Sequence, residues 1–205
     1  MKREALYAFR EACRLRGDDA RLWGHAALAA LDVGRFDEAI YDTTRTISLG
    51  GPPLPQVSSL VAQAVVQDVK DSDGERSRRL LDKAVALLEL SCTSQPLEAA
   101  HWEARLHVVR RVGTADELPA ILRLQLEAYR KHMRWLEQPD ELDAVVEVCA
   151  QLVEALLESG EDAALREAKK LVEEMLHAAS NKLAASQGCE SLRMLQAKIR
   201  RHDDD

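Results

Sequence analysis

Aromatic side chains are scarce: Phe, Trp and Tyr make up only 4% of the 205 residues. A core with so few rings has to be built from Leu, Ala and Val, which suits helix packed on helix better than sheet. Nine glycines and six prolines cluster at a few places, so long stretches carry no signal that would stop a helix. No window approaches the ~18 consecutive apolar residues that a membrane-crossing helix needs. Met1, Lys2 and Arg3 lead into amphipathic sequence without an apolar signal core, so the expected compartment is the cytoplasm, the nucleus or both.

Chemistry-bearing patterns are missing as well. Cys13, Cys92, Cys149 and Cys189 are widely spaced and form no Cys-x-x-Cys pair, so reduced thiols on helical faces are expected. His101 and His107 stand six apart, outside the i, i+4 register that two metal ligands on one helix need. Gly50-Gly51 lacks the lysine and helix N-terminus of a phosphate loop. Glu173-Glu174 reads as ordinary helix surface. No cofactor, no metal and no catalytic residue is expected, and an enzyme is not the reading these residues favour. The net charge of −7, from 35 acidic against 28 basic residues, argues against generic binding to phosphate backbones, which needs dense Lys and Arg on one face.

What the chain does have is periodicity. Ala5, Phe9, Ala12 and Leu15 share one helical face, and the same spacing returns about 34 residues later as Ala39, Thr43, Thr46 and Leu49. Trp23 precedes Gly34 by eleven residues, and Trp102 precedes Gly113 by the same interval. A period of about 34 with helix–turn–helix punctuation resembles the tetratricopeptide repeat, with its aromatic early in helix A and a small residue at the A-to-B turn. The fold class expected is all-α: a tetratricopeptide-type helix–turn–helix solenoid with irregular C-terminal capping helices.

Taken in order, residues 3–16 read as a helix with Ala5, Phe9, Ala12 and Cys13 inward and Arg3, Arg10 and Arg14 outward. Gly17-Asp18-Asp19 ends it and caps the next. In register this is a helix B without its helix A. Such a face stays uncovered unless a neighbour packs on it, so an upstream part of a longer protein, or a partner chain, is expected to supply the missing helix. Ala20–Leu49 forms a full repeat, and three prolines within Gly50–Pro55 stop it. Helices are expected over 56–68, with Val57, Leu60, Val61, Ala64 and Val65 inward, and over 76–92, separated by a polar loop from Lys70 to Glu75. A repeat boundary lies at Trp102–Gly113. Helices over 116–136, 139–157, 161–185 and 189–200 follow, nine in all, with no strand. The domains are then 1–50, tetratricopeptide repeats with the first lacking helix A; 56–114, diverged repeats; and 115–201, antiparallel helices capping the solenoid.

The run Lys2–Leu15, then Trp23, Leu31-Asp32-Val33-Gly34 and Phe36-Asp37-Glu38-Ala39-Ile40, is similar to the C-terminal portion of the tetratricopeptide repeat protein 27 (Emw1-like) family. The match covers about the first 50 residues, roughly a quarter of the chain. The resemblance implies a longer parent protein without catalytic residues. It further implies a chaperone-linked assembly factor for the U5 small nuclear ribonucleoprotein in pre-mRNA (mRNA) splicing, with ribonucleoprotein subunits or chaperone-complex components as protein partners.

Partner-binding candidates are the basic groups Arg76, Arg78, Arg79 and Lys83, then Arg105, Arg110 and Arg111, which would meet an acidic peptide or an RNA phosphate if they are not simply solvated faces. Arg130, Lys131, His132, Arg134 and Trp135 interleave an aromatic with cations, the pattern closest to a nucleic-acid contact, although Trp135 also suits packing on the following helix. A two-carboxylate clamp for a chaperone C-terminus needs Asn, Lys or Arg on helix A. The matching surfaces offer Gly24, His25 and Leu28, then Glu103, Ala104 and His107, so no clamp is expected. The function expected is a non-catalytic protein-binding scaffold, with an RNA-binding helical-repeat protein as the alternative and direct nucleic-acid binding the less favoured of the two.

Overall fold

The computed structural model describes residues 1–71, 74–113, 116–132, 138–180 and 187–204. Among these it forms ten helices and no strand: α1 (Lys2–Leu15), α2 (Ala20–Asp32), α3 (Phe36–Ser48), α4 (Pro55–Asp71), α5 (Glu75–Ser94), α6 (Ala99–Val112), α7 (Glu117–His132), α8 (Pro139–Ser159), α9 (Asp162–Ser180) and α10 (Gln187–Asp204). The tenth helix is α6. Spacing marks Trp102–Gly113 as a repeat boundary, but Ala99–Val112 carries no breaker and is helical throughout. Lys70 and Asp71 continue α4 and Glu75 opens α5, so the polar connection is shorter than its composition suggests.

Residues Met1–Gly113 form one compact unit and Thr114–Asp205 a second. Within the first, α2 pairs with α3, α4 pairs with α5, and α4 also packs on α6. One hydrophobic core runs through it, from Leu6, Ala27, Ala30 and Ala39 to Val57, Val61, Val65 and Leu87. Ala26, Ala27 and Ala30 are wholly buried, because a face of methyl groups lets a neighbouring helix come close. A satellite cluster of Ala62, Val66, Leu88, Ala104 and Val108 joins α4, α5 and α6.

The passages from α1 into α2 and from α5 into α6 are built alike. Arg16 (φ −136°, ψ 67°) ends α1, and Gln95 (φ −132°, ψ 74°) ends α5. Their N–H groups donate to Ala12 O and Ser91 O, both at 2.9 Å. Asp19 N–H then donates to Arg16 O at 3.2 Å, and Glu98 N–H to Gln95 O at 3.1 Å. Four residues into each following helix comes a tryptophan. The Trp23 indole donates to Gly17 O and the Trp102 indole to Pro96 O, each at 2.9 Å. This is one turn design used twice, and it makes the first unit a tetratricopeptide-type helix–turn–helix array.

Two inward assignments differ from the helical spacing. α1 buries Leu6 and Cys13 with Phe9 half-buried, an i, i+3, i+7 stripe, while Ala5 and Leu15 are exposed. Burying Leu6 removes more apolar area from water than burying Ala5, so the helix turns that way. α4 buries Val57, Val61, Ala62, Val65 and Val66 and leaves Leu60 exposed, because it is covered by both α5 and α6.

In the second unit, α8 packs against α7, α9 and α10. A helix with three neighbours needs apolar residues around most of its girth. Leu142, Val145, Val146, Val148, Cys149, Leu152, Val153 and Leu156 are accordingly all buried. Pro139 opens α8, and Gly160 closes it with φ 67°, a left-handed C-cap that glycine adopts without steric cost.

Two glycines give an opposed pair of predictions. A Cβ at Gly51 would lie 2.8 Å from Ala20 Cβ and 2.9 Å from Thr46 Cγ2, atoms that cannot swing aside. Gly51→Ala is expected to destabilise by about 1–3 kcal/mol through overpacking. At Gly24, inside α2, an added Cβ would meet Leu54 Cδ1 at an ordinary 3.8 Å. Gly24→Ala is therefore expected to stabilise by about 0.5–1 kcal/mol, by reducing the freedom of the unfolded chain. Urea denaturation of the two variants reads both signs, and shifts of equal sign would contradict this packing.

Candidate functional site

The residues nominated from sequence stand in different local surroundings. Arg76 and Arg79 are exposed near the start of α5, where Arg79 pairs with Glu75. Lys83 on the same helix reaches Asp37 of α3 at 2.7 Å. Arg110 is exposed on α6, while Arg105 is half-buried beside Cys92, with its Nε buried and without a hydrogen-bond partner. Arg130 turns into its own unit: its guanidinium donates to Met175 Sδ at 3.3 Å and lies 3.8 Å from Glu174. Arg134 and Trp135 lie outside the described residues. Arg123, not singled out from sequence, makes a two-pronged pair with Glu167 at 2.7 Å and 2.7 Å. That pair holds the Glu167 carboxyl below, and the Arg123 guanidinium above, their ordinary values. Exposed pairs of this kind contribute about 0–1 kcal/mol each, so they order side chains more than they stabilise the fold.

The helix A surfaces mix polar and apolar side chains. Gly24 is buried, and His25 is exposed with its ring stacked on Phe9 at 5.4 Å between centroids. Ala104 is buried, while Glu103 is exposed. Leu28 on α2 and Leu60 on α4 are 38% and 46% exposed, so both helices present an aliphatic side chain to solvent. Trp23 is half-buried and meets Tyr41 edge-on at 5.9 Å, with Tyr41 itself exposed.

Among buried polar groups, one line imitates a catalytic constellation. The Ser58 hydroxyl lies 2.9 Å from His101 Nδ1, and His101 Nε2 lies 3.1 Å from Gln95 Oε1. Gln95 Oε1 can only accept, so the network places the proton on Nε2, and Nδ1 accepts from the Ser58 hydroxyl. Burial lowers the His101 pKa and keeps the ring neutral. Both Ser58 and His101 are wholly buried, so this hydroxyl is out of reach of any substrate; it ties α4 to α6. The spacing of His101 and His107 bears only on metal binding and does not mark His101 as buried. Its position beside Trp102, on the packed side of α6, is the signal that marks it as a core histidine.

A second buried polar group lies in α3. Asp42 is wholly buried in α3 on the same stripe as Ala39, Thr43 and Thr46. Arg10, expected outward, lies instead against it: its Nη2 stands 2.9 Å from Asp42 Oδ2 and donates to Glu38 Oε2 at 3.1 Å. The approach to Asp42 is an ion pair poorly aligned as a hydrogen bond, which leaves both carboxylate oxygens without a hydrogen-bond partner. Desolvation outweighs the Arg10 charge and pushes the Asp42 pKa up to about 6. Cys13, Cys92 and Cys149 are buried unpaired thiols. Burial pushes Cys92 up to about 12 and Cys149 to about 11, so neither offers a thiolate at neutral pH. Among the described residues no group of three His, Cys, Asp or Glu side chains is placed to hold a metal, and no helix is long and apolar enough to cross a membrane.

No family model matches the chain, and no curated protein matches it. Among solved structures, the crystal structure of a thermophilic TPR protein from Thermus thermophilus is similar, with 19% identity over 98% of this chain and 90% of that one and a TM-score of 0.40. At that level of agreement the fold rests on the chain's own duplicated junctions.

Asp42 makes stability depend on pH with a definite sign. The folded chain keeps this proton up to pH about 6, whereas the unfolded chain releases it near 3.8, so unfolding releases a proton between those values. Stability from this group is fully present below pH 3.8 and is lost as pH rises through 6. Relative to Asp42→Asn, the unsubstituted chain is expected to lose about 2–3 kcal/mol between pH 4 and 6. Denaturant melts of both proteins across that range check it, and parallel pH profiles would contradict the assignment.

Proposed function

We propose that the chain is a non-catalytic protein-interaction scaffold. The observation that carries this reading is the duplicated helix-B-to-helix-A junction at Trp23 and Trp102. Stacked repeats spend their polar groups on their own turns and present side chains scattered along extended surfaces, which suit peptides or helices of another protein. Leu28 and Leu60, exposed on α2 and α4, are the apolar contacts such a surface would use. The nominated cations support a protein partner better than an RNA. Arg79 and Lys83 are answered by carboxylates of this chain, and so is Arg130, while the whole carries −7.

The narrower form of the proposal is an assembly factor for the U5 small nuclear ribonucleoprotein. It is supported by the resemblance of Lys2–Ile40 to the tetratricopeptide repeat protein 27 (Emw1-like) family.

The test is quantitative co-purification on the tagged chain against a Leu28→Glu, Leu60→Glu variant that melts at the same temperature. A set of proteins depleted at least about fivefold, roughly 1 kcal/mol of lost binding, is expected with the variant. Subunits of the U5 particle within that set would support the narrower form, and their absence from it would overturn that form alone. No protein sensitive to the substitutions would overturn the scaffold itself. Single-stranded RNA that binds this chain with a steep loss of affinity in salt would favour the RNA reading instead.

A further inference from the structure

Within the second unit, α8 and α10 leave a groove of about 810 Å³ between them. Its α8 wall is the stripe Asp143, Val146, Glu147, Ala150 and Glu154, spaced i, i+3, i+4, i+7, i+11, so it runs straight along about 16 Å of helix. That is three turns, the length over which another helix can lie in a groove. The floor is apolar: Val146 and Leu195 are buried beneath it, and Ala150 is half-buried. Met194 stands at the rim with 71% of its surface exposed, a soft side chain that moulds to irregular apolar partners.

Charge divides the groove into two ends. At one end Glu154 is answered by Lys198 at 3.5 Å, and Arg201 follows on α10. At the other, Asp143 and Glu147 share the wall, and among the described residues neither has a cation in ion-pair range; Glu147 accepts a hydrogen bond from Gln151 at 2.9 Å. An occupant with an apolar stripe is favoured if it brings positive charge to the Asp143–Glu147 end and none to the Lys198–Arg201 end.

We propose that this groove docks an amphipathic helix of a partner protein, with a basic turn seated against Asp143 and Glu147. The assignment rests on the scaffold reading and gives that reading a second surface, distinct from the α2 and α4 side chains. Discrimination comes from the carboxylates and affinity from the apolar floor. Reversing the carboxylates therefore changes which helix binds, whereas blocking the rim changes whether any does.

The experiment uses the full chain and two fluorescent, hydrocarbon-stapled helices of about 14 residues. Both carry leucines at i, i+3, i+7 and i+10; one has lysines flanking the first two turns, the other glutamates there. Anisotropy titrations are expected to show saturable binding of the lysine helix, at least about tenfold tighter than the glutamate helix. Asp143→Lys with Glu147→Lys is expected to reverse that preference, and Met194→Glu, at an exposed position, to weaken both by about tenfold with unchanged melting. Preference left unaltered by the double reversal would overturn the proposal, as would no saturable binding to the unsubstituted chain. Sedimentation equilibrium showing a dimer that Met194→Glu dissolves would assign the groove to a second copy and overturn the partner helix. Failure of the scaffold reading shows elsewhere, in the absence of any co-purifying protein sensitive to Leu28 and Leu60.

Discussion

The indole N–H of a tryptophan held by a backbone carbonyl six residues earlier is the interaction on which the first unit depends. A helix that ends beside the start of another leaves carbonyls without helical partners, and burying them unpaired costs about 1–3 kcal/mol each. At Gly17 and Pro96 the following helix supplies the donor from its fourth residue, so satisfying the carbonyl also fixes the angle at which that helix leaves. The ring then fills the space beside the turn. A residue with both properties, a large apolar body and one donor, has no substitute among the other side chains except in part tyrosine. The two tryptophans at matched places each supply a bond and a volume together.

Much of this was legible. Helix-forming sequence without breakers announces helices, and Trp23 and Trp102 mark the two like junctions, whereas the glycines eleven residues on differ, with φ 74° at Gly34 and −82° at Gly113. The rotation of individual helices was less legible. Ala5 and Leu6 are neighbours, either of which satisfies an apolar stripe; only the position of α2 decides for Leu6. Leu60 fits a one-sided stripe on α4, but α4 is covered on two sides by α5 and α6, and the stripe moves. Arg10 reads as a surface cation until α3 brings Asp42 beneath it, since periodicity describes one helix at a time and a buried ion pair belongs to two.

Several of the basic side chains have carboxylate partners within the fold. Arg79, Lys83, Arg123 and Arg130 each face a carboxylate, three of them across helices, so part of the charge visible in the sequence is answered within the fold. The exception in sign is the α8 wall, where Asp143 and Glu147 stand without a cation among the described residues. Asp42 shows the opposite limit: its charge has a partner, but burial costs more than the poorly aligned partner returns.

The most direct measurement of the central claim is hydrogen exchange at the tryptophan indoles, followed by NMR on tryptophan-labelled protein. If the two junctions hold the array, the Nε1–H signals of Trp23 and Trp102 will both exchange about 100-fold or more slower than a free indole. They will also lose protection together as urea unfolds the unit. An indole at either position exchanging at the free rate in the native protein would mean that junction is not closed, and the repeat architecture would lose its foundation.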